Sequence, residues 1–280
     1  MPSNIDYSQI QEFTILPKNG AFYLELSYVE KPKHELDINQ ALSIDIGTAN
    51  NLAACVDTLG NSFLIDAGVM KAMNQLWNQK VSTRKEGKPE SYWDSWLDKV
   101  TRKRNYQIQD GINKSAKLII DHCLKSTIGT LVIGWNKGFK SHANMGRLNN
   151  QKFTQIPLGK LKDRLKQLCD LHGIRYQETE ESYTSKASYL DGDSLPVYGQ
   201  KPEGWKASGK RVERGLYRSA NGLIVNADLN GAANIFRKVA SNLSIDLGLL
   251  GRRYLTTVAR IRLWALPKST LSAESQWLQP

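Results

Sequence analysis

Sulfur and histidine are scarce in this 280-residue sequence, which holds three cysteines (Cys55, Cys123, Cys169) and four histidines (His34, His122, His142, His172). No Cys-x-x-Cys pair occurs and the histidines do not cluster along the chain, so a structural zinc has no visible ligand set and none is expected. The cysteines are odd in number, widely spaced and set in apolar-patterned segments. That pattern argues against a disulfide framework and marks them as core thiols. Long apolar runs are missing too: nothing approaches the roughly 18 residues that would span a bilayer. The opening residues, MPSNID, carry neither the basic flank nor the apolar stretch of a secretory signal. The expectation is a cytoplasmic protein with no membrane role.

Acidic residues are the other shortage. Asp and Glu number 27 against 38 Lys and Arg, giving a formal charge of +11 and a pI near 9.5. Such a balance favours a polyanionic partner through phosphate neutralisation and counterion release, and nucleic acid is the leading candidate. The positive charge recurs in blocks at residues 99–117, 137–166, 201–218 and 252–262, with Tyr106, Trp135, Phe139, Phe153, Trp205 and Tyr217 interleaved. Exposed rings of this kind stack on bases, although a single aromatic is more often part of a core. The candidates for phosphate contact are Arg102, Lys103, Arg104, Lys114, Lys137, Lys140, Lys186, Lys210, Arg211 and Arg214.

Residues 12–29, FTILPKNGAFYLELSYVE, predict two strands about a Lys18-Asn19-Gly20 turn. A polar link containing Pro32 leads to ALSIDIG, residues 41–47, a short apolar run interrupted by one acid and read as the first core strand. Residues 51–57 and 62–66 predict two more strands, separated by the reverse-turn sequence Thr58-Leu59-Gly60-Asn61. Helical spacing covers residues 68–80 and 92–126, and residues 130–133 form a compact buried-strand run. Pro157 precedes a third amphipathic helix, 158–172, which Gly173 closes. Residues 174–179 predict a fifth strand, a polar, glycine-rich excursion runs to Asn221, and residues 227–239 predict a closing helix. This order is that of a ribonuclease-H-like α/β domain, a mixed sheet with helices on its faces. Residues 241–280 carry Arg252, Arg253, Arg260 and Arg262 with little pattern and read as a tail of unknown role.

Certain acids stand out against this background. Asp45 interrupts an apolar strand, where an unpaired carboxylate is costly unless a metal or a donor compensates; the alternative is an Asp facing solvent or bonding the turn at Gly47-Thr48. Asp228 opens the last helix in NADLNGAANI, where ordinary N-terminal capping is the competing reading. Gly231, Ala232 and Ala233 would let that helix lie close to the sheet and bring Asp228 near Asp45. Glu178, Glu180 and Glu181 surround the end of the fifth strand, either as a solvated rim or as a third acidic contribution. Converging carboxylates suit phosphodiester cleavage, because paired Mg²⁺ ions prefer hard oxygen ligands and clamp the attacking and leaving oxygens.

The segments SIDIGTANNLAACVD, LVIGWNKGFK, NNQKFTQIPLGKLKDRL, TEESYTSKASYLDGD and NADLNGAANIFRKV resemble TnpB-like proteins, the OrfB-type transposon-encoded RNA-guided nucleases related to type V CRISPR effectors. The resemblance spans residues 12–240 and implies a RuvC-type nuclease domain over 41–240 with a polar insertion near 182–222. Residues 1–40 would then be the remnant of an RNA-binding β-barrel, and the chain an N-terminally truncated or short form. The family's acidic centre uses an Asp of the first strand, a Glu and the Asp of Asn-Ala-Asp, which match Asp45 and Asp228 directly. The family's Glu ends the fourth strand, where Gly134 stands here; Glu181, with Glu180 in reserve, is the replacement expected from the adjoining strand. The resemblance further implies Mg²⁺ or Mn²⁺ as cofactor. The implied partners are a guide RNA, DNA that is single-stranded or an unwound duplex, and a transposon-encoded protein. The four-cysteine zinc ribbon common after Tyr-Thr-Ser is replaced by ASYLDGD, residues 187–193, so no zinc is expected there.

Two rival functions stay open at this point. One is a nuclease-dead, guide-dependent binding protein or decayed transposase fragment, which the glycine at 134 favours. The other is an actin-like ATPase, because IDIGTAN, residues 44–50, resembles a first phosphate loop, although no second one follows.

Overall fold

The computed structural model describes residues 7–18, 20–28, 34–47, 51–136, 156–248, 250–256 and 258–264. Strands β3 (Asp37–Ile46), β4 (Asn51–Asp57) and β5 (Ser62–Asp66) form the antiparallel meander that the alternating apolar runs require. Helices α1 (Gly68–Lys85) and α2 (Ser95–Lys125) follow, then β6 (Ile128–Gly134), α3 (Leu158–His172) and β7 (Arg175–Thr179). β6 pairs parallel to β3, and β7 parallel to β6. The result is a mixed α/β fold of ribonuclease-H-like, RuvC-type order, with a mixed sheet between helices.

Each helix is explained locally. Asp94 caps α2, its Oδ1 accepting the Leu97 N–H at 2.9 Å. Ile108, Ile112, Ala116, Ile119 and Cys123 recur at three- and four-residue steps and face the sheet. Gly173 takes a left-handed φ of +73° and ends α3. Together α1, α2 and α3 cover one face of the sheet through Leu42, Ile44, Cys55, Leu131 and Ile133. All three cysteines are buried, and burial is the first cause pushing each thiol upward.

The other face carries helix α4 (Ala227–Leu243), whose Leu229, Ala232, Ala233, Ile235, Phe236 and Val239 pack on Ala41, Ala54, Val56 and Val132. Small side chains on both partners let the helix approach closely: Ser43 Oγ donates 2.7 Å to the Ala232 carbonyl. Between β7 and α4 the polar excursion contains a second sheet, β8 (Lys210–Glu213), β9 (Leu216–Arg218) and β10 (Ile224–Asn226). Aspartates bind it together. Asp193 Oδ2 accepts the Ser188 and Ser208 N–H groups at 2.7 and 3.0 Å, and Asp191 Oδ2 accepts Ser208 Oγ and the Ala220 N–H at 3.0 and 2.8 Å.

The C-terminal region differs from the sequence reading. Beyond residue 241 the chain is not featureless: helix α5 (Arg252–Thr256) and strand β11 (Ala259–Ile261) return to the main sheet, and β11 pairs parallel to β5. Three residues are too few for alternation to announce a strand. At the other end β1 (Ile10–Lys18) and β2 (Ala21–Tyr28) form the hairpin that the sequence indicates, a separate two-stranded sheet about Gly20, φ +66°. Tyr23 of this hairpin stacks on Tyr106 of α2 with centroids 6.0 Å apart. Among the described residues no helix is long and apolar enough to cross a membrane.

Candidate active site

Period-two alternation along β3 puts Leu42, Ile44 and Ile46 under α2 and α3, and therefore turns Ser43 and Asp45 toward α4. Gly231 of α4 lies directly over the Asp45 carboxylate. A methyl group at 231 would stand 2.5 Å from Asp45 Oδ2, so a larger residue here would have to displace the carboxylate.

Asp228 lies one turn earlier in α4 and is 6% exposed. It is not the helix cap: the Asn226 side chain accepts the N–H groups of Asp228 and Leu229, both at 3.0 Å. The competing reading of Asp228 as an ordinary capping residue is thereby removed, and its carboxylate turns elsewhere. Asn51 Nδ2 donates 2.8 Å to Asp228 Oδ2, and the Arg211 guanidinium stands 3.8 Å from Oδ1. Asn51 and Arg211 thus bring a buried amide and a half-exposed cation, from β4 and β8, onto one acid.

Glu181 follows β7 by two residues. Its N–H donates 3.2 Å to Asn136 Oδ1, and its carbonyl accepts the Thr184 N–H and hydroxyl at 3.2 and 2.8 Å. Gly134 at the end of β6 leaves the room it occupies: a methyl group there would stand 3.2 Å from Glu181 Cβ and would also drive into Ile235. Glu180 is diverted. Its Oε2 meets Lys238 Nζ at 2.5 Å and its Oε1 accepts the Ser182 N–H at 2.7 Å. Glu178 is held outside by Lys162 and the Tyr176 hydroxyl.

Asp45, Glu181 and Asp228 share one electrostatic neighbourhood. Burial, then the charges of Glu181 and Asp228, push the Asp45 carboxyl well above the usual carboxylate range, against the pull of Arg211. Burial, then Glu180, push Glu181 up to about 7, with Lys238 opposing. Glu180 behaves oppositely: burial raises it, but hydrogen bonds from Lys238 and Ser182 outweigh this and hold it low. Asp45 and Glu181 are therefore biased toward their protonated forms, and a bound cation would favour the ionised ones. Hard carboxylate oxygens in such a field suit Mg²⁺ or Mn²⁺. Among the described residues no three His, Cys, Asp or Glu side chains are arranged as ligands of a single ion. A centre for two ions about 4 Å apart divides its carboxylates between them and does not require that cage. The donor chemistry fits the ion type, with Asp45, Glu181 and Asp228 as the side chains that would hold it.

The basic candidates fall into separate groups. Lys186, Lys210, Arg211 and Arg214 are exposed on the second sheet and its flanking segments, and Arg211 among them meets Asp228. Lys103 is exposed on α2, and Arg102 reaches the Gly20 carbonyl at 3.4 Å. Lys114 pairs with Asp110 at 2.7 Å. Arg104 differs from a surface cation: its Nε donates 2.6 Å to Asn74 Oδ1 and its guanidinium lies over Trp77, so it joins α1 to α2. Tyr217 likewise is a core residue, 1% exposed. Lys137 and Lys140, and residues 48–50 of the phosphate-loop-like segment, lie outside the described residues. Sequence reasoning missed Asn51 and Lys238. A buried Asn opening the apolar run NLAACV was the available signal for Asn51, whereas nothing in the sequence marked Lys238.

These features define a RuvC-type ribonuclease-H-like protein, and comparison with known proteins narrows the class. A probable-transposase model, OrfB of the IS605 type, matches residues 25–139, and a Cas12f1-like TNB domain model matches residues 159–235. Among solved structures, a Cas12f1–sgRNA–target DNA complex superposes with a TM-score of 0.50 at 16% identity, over 79% of this chain and 54% of that one. A CRISPR-Cas12f ternary complex gives 0.47 at 16% identity, over 81% and 44% respectively. An AacC2c1–sgRNA–extended non-target DNA complex gives 0.47 at 12% identity, over 63% and 22%. This chain thus spans about half, or less, of the length of these structures. No curated protein sequence matches it. Residues 25–139 are thus similar to the OrfB probable transposases of IS605 type and residues 159–235 to the Cas12f1-like TNB domain.

Proposed function

We propose that this chain is the nuclease core of an RNA-guided, metal-dependent DNA endonuclease, with Asp45, Glu181 and Asp228 as its metal-holding catalytic acids. The observation that carries the reading is that acids from β3, α4 and the segment after β7 lie close enough to act on one another, with Gly231 of α4 seated against the Asp45 carboxylate. Structural acids are normally paired as Glu178 and Glu180 are. In this reading residues 41–240 are the nuclease domain with its insertion at 182–222, residues 1–40 belong to an RNA-binding β-barrel, and residues 241–280 follow. Guide RNA and target DNA are the partners, together with a transposon-encoded protein.

A bound Mg²⁺ or Mn²⁺ pair would polarise the phosphodiester and lower the acidity threshold of the attacking water. The chain's own residues prepare for that chemistry. Asn51 donates to one Asp228 oxygen and leaves the other, Oδ1, on the side of Arg211. Arg211 stands where the phosphate backbone would arrive and partly offsets its charge. Asp45 and Glu181 must shed protons to act as ligands, so occupancy of the site should rise with pH.

The test is cleavage of matched and mismatched DNA, single-stranded and duplex, by the purified chain with and without guide RNA. Expected is slow cleavage that needs Mg²⁺ or Mn²⁺ and disappears with Asp45→Ala. Without a guide, binding should show little sequence preference and weaken steeply with salt. Intact nucleic-acid binding with no cleavage under any metal would instead identify a guide-dependent binding protein.

A further inference from the structure

Glu181 is the candidate ligand that no regular element holds. Asp45 is fixed in β3 and Asp228 in α4, but β7 ends at Thr179. Its direction must come from its neighbours, and Glu180 is anchored twice, by the Ser182 N–H and by Lys238. Lys238 is an unusual partner, with a side chain only 9% exposed. Enclosing a lysine costs hydration and rotamer entropy, so an enclosed one is normally paired, as here. A groove lined by Thr179, Leu195, Val197 and Arg237 opens beside the pair, so solvent was within reach of this cation.

The position of Lys238 explains the arrangement. Asp228, Gly231, Ile235 and Lys238 follow at steps of three and four and form one stripe of α4. In order, they meet Asn51 and Arg211, then Asp45, then Gly134, then Glu180. A single helix thereby sets the spacing of every part of the centre over a rise of about 15 Å. Glu180 is held at Lys238 while the Cβ of Glu181 lies beside Gly134, where Ile235 of the same stripe also packs.

We infer that Lys238 and Glu180 form a positioning pair that aims Glu181 at Asp45 and Asp228, neither member being a ligand itself. The inference rests on reading the centre as a metal site. Lys238→Met keeps the alkyl stem that packs and removes only the cation. Two measurements on the full chain test it. In the first, Mn²⁺ binding is followed calorimetrically: Lys238→Met and Glu180→Gln should each weaken it about tenfold, the range for losing an outer partner of a ligand, while Lys238→Arg stays close to the parent. The second needs no metal. The native cysteines are all buried, so with Glu181→Cys the introduced thiol is the reporter, and Lys238→Met should speed its alkylation about tenfold as the segment swings out.

Unchanged alkylation, or Mn²⁺ affinity equal to the parent's in Lys238→Met, overturns the pair. Weakening in Lys238→Arg equal to that in Lys238→Met overturns it as well, since the cation would then be irrelevant. If the parent binds no Mn²⁺ that Asp45→Ala removes, the metal reading fails, and the alkylation rates still decide whether Lys238 orients residue 181.

Discussion

Along β3, Leu42, Ile44 and Ile46 enter the core beneath α2 and α3, whereas Ser43 and Asp45 of the same strand meet α4. The first face is filled by large aliphatic side chains from helices of ordinary amphipathic pattern. The second sets small residues, Ala41, Ser43, Ala54 and Gly134 against Gly231, Ala232 and Ala233, among larger ones such as Val132, Ile235 and Phe236. Large side chains maximise apolar burial. Small ones give up part of that gain so that backbone can approach backbone. On the second face the approach places acids from β3, α4 and the end of β7 in one field. One strand thus separates the two tasks by parity, and substitutions on its two faces should fail in different ways.

The largest effect belongs to the acids. Asp45→Ala or Asp228→Ala should reduce metal-dependent cleavage by roughly a thousandfold, as expected for several kcal/mol of lost charge stabilisation, while the protein stays folded. Parallel measurement of cleavage and circular dichroism checks this. Loss of fold in both variants would place the acids on the structural side of the comparison. On the opposite face, Ile44→Ala should act only through stability and cost about 2–5 kcal/mol, read from denaturant unfolding. Gly231→Ala falls between these. Its new methyl group must push aside the Asp45 carboxylate, so cleavage should drop severely for a stability cost of about 1–3 kcal/mol, typical of overpacking.

The pH dependence sharpens the contrast further. Asp45 and Glu181 both titrate above the usual carboxylate range, Glu181 up to about 7. The folded protein therefore binds more protons than the unfolded chain from about pH 4 upward. The stability that these groups contribute is complete below that range and is lost as pH rises through about 7. In the metal-free protein the melting temperature should fall across this interval, and Asp45→Asn or Glu181→Gln should flatten the fall. A steeper fall in either variant would mean that the carboxylates are stabilised where they stand. The smallest effect is expected at exposed cations: removing Lys103, Lys186 or Lys210 should each reduce the salt slope of nucleic-acid binding by about one unit, without changing sequence preference.

Much of the first face was legible in the sequence because it obeys period rules. Strands β4 and β5 and helix α3 match the residue ranges that alternation, turn chemistry and Pro157/Gly173 punctuation indicate. The second face was legible only at particular residues. Asp45 betrays itself by interrupting an apolar run, and Gly231-Ala232-Ala233 announces a close helix. The anchoring of Glu180 and Glu181 was hidden because it depends on a lysine far along the chain, reached only through the pitch of α4. The second sheet escaped notice for another reason: β8, β9 and β10 have four, three and three residues and draw part of their support from Asp191 and Asp193 rather than from a hydrophobic pattern. β11 and α5 were missed on the same ground, being too short to show a period.

The most direct measurement of the central claim is anomalous diffraction at the manganese edge from crystals soaked in Mn²⁺. The account predicts density bounded by Asp45, Glu181 and Asp228, with Glu180 still on Lys238, and its loss in crystals of Asp45→Ala. Strong manganese sites elsewhere on the molecule, with none among these three carboxylates, would contradict it.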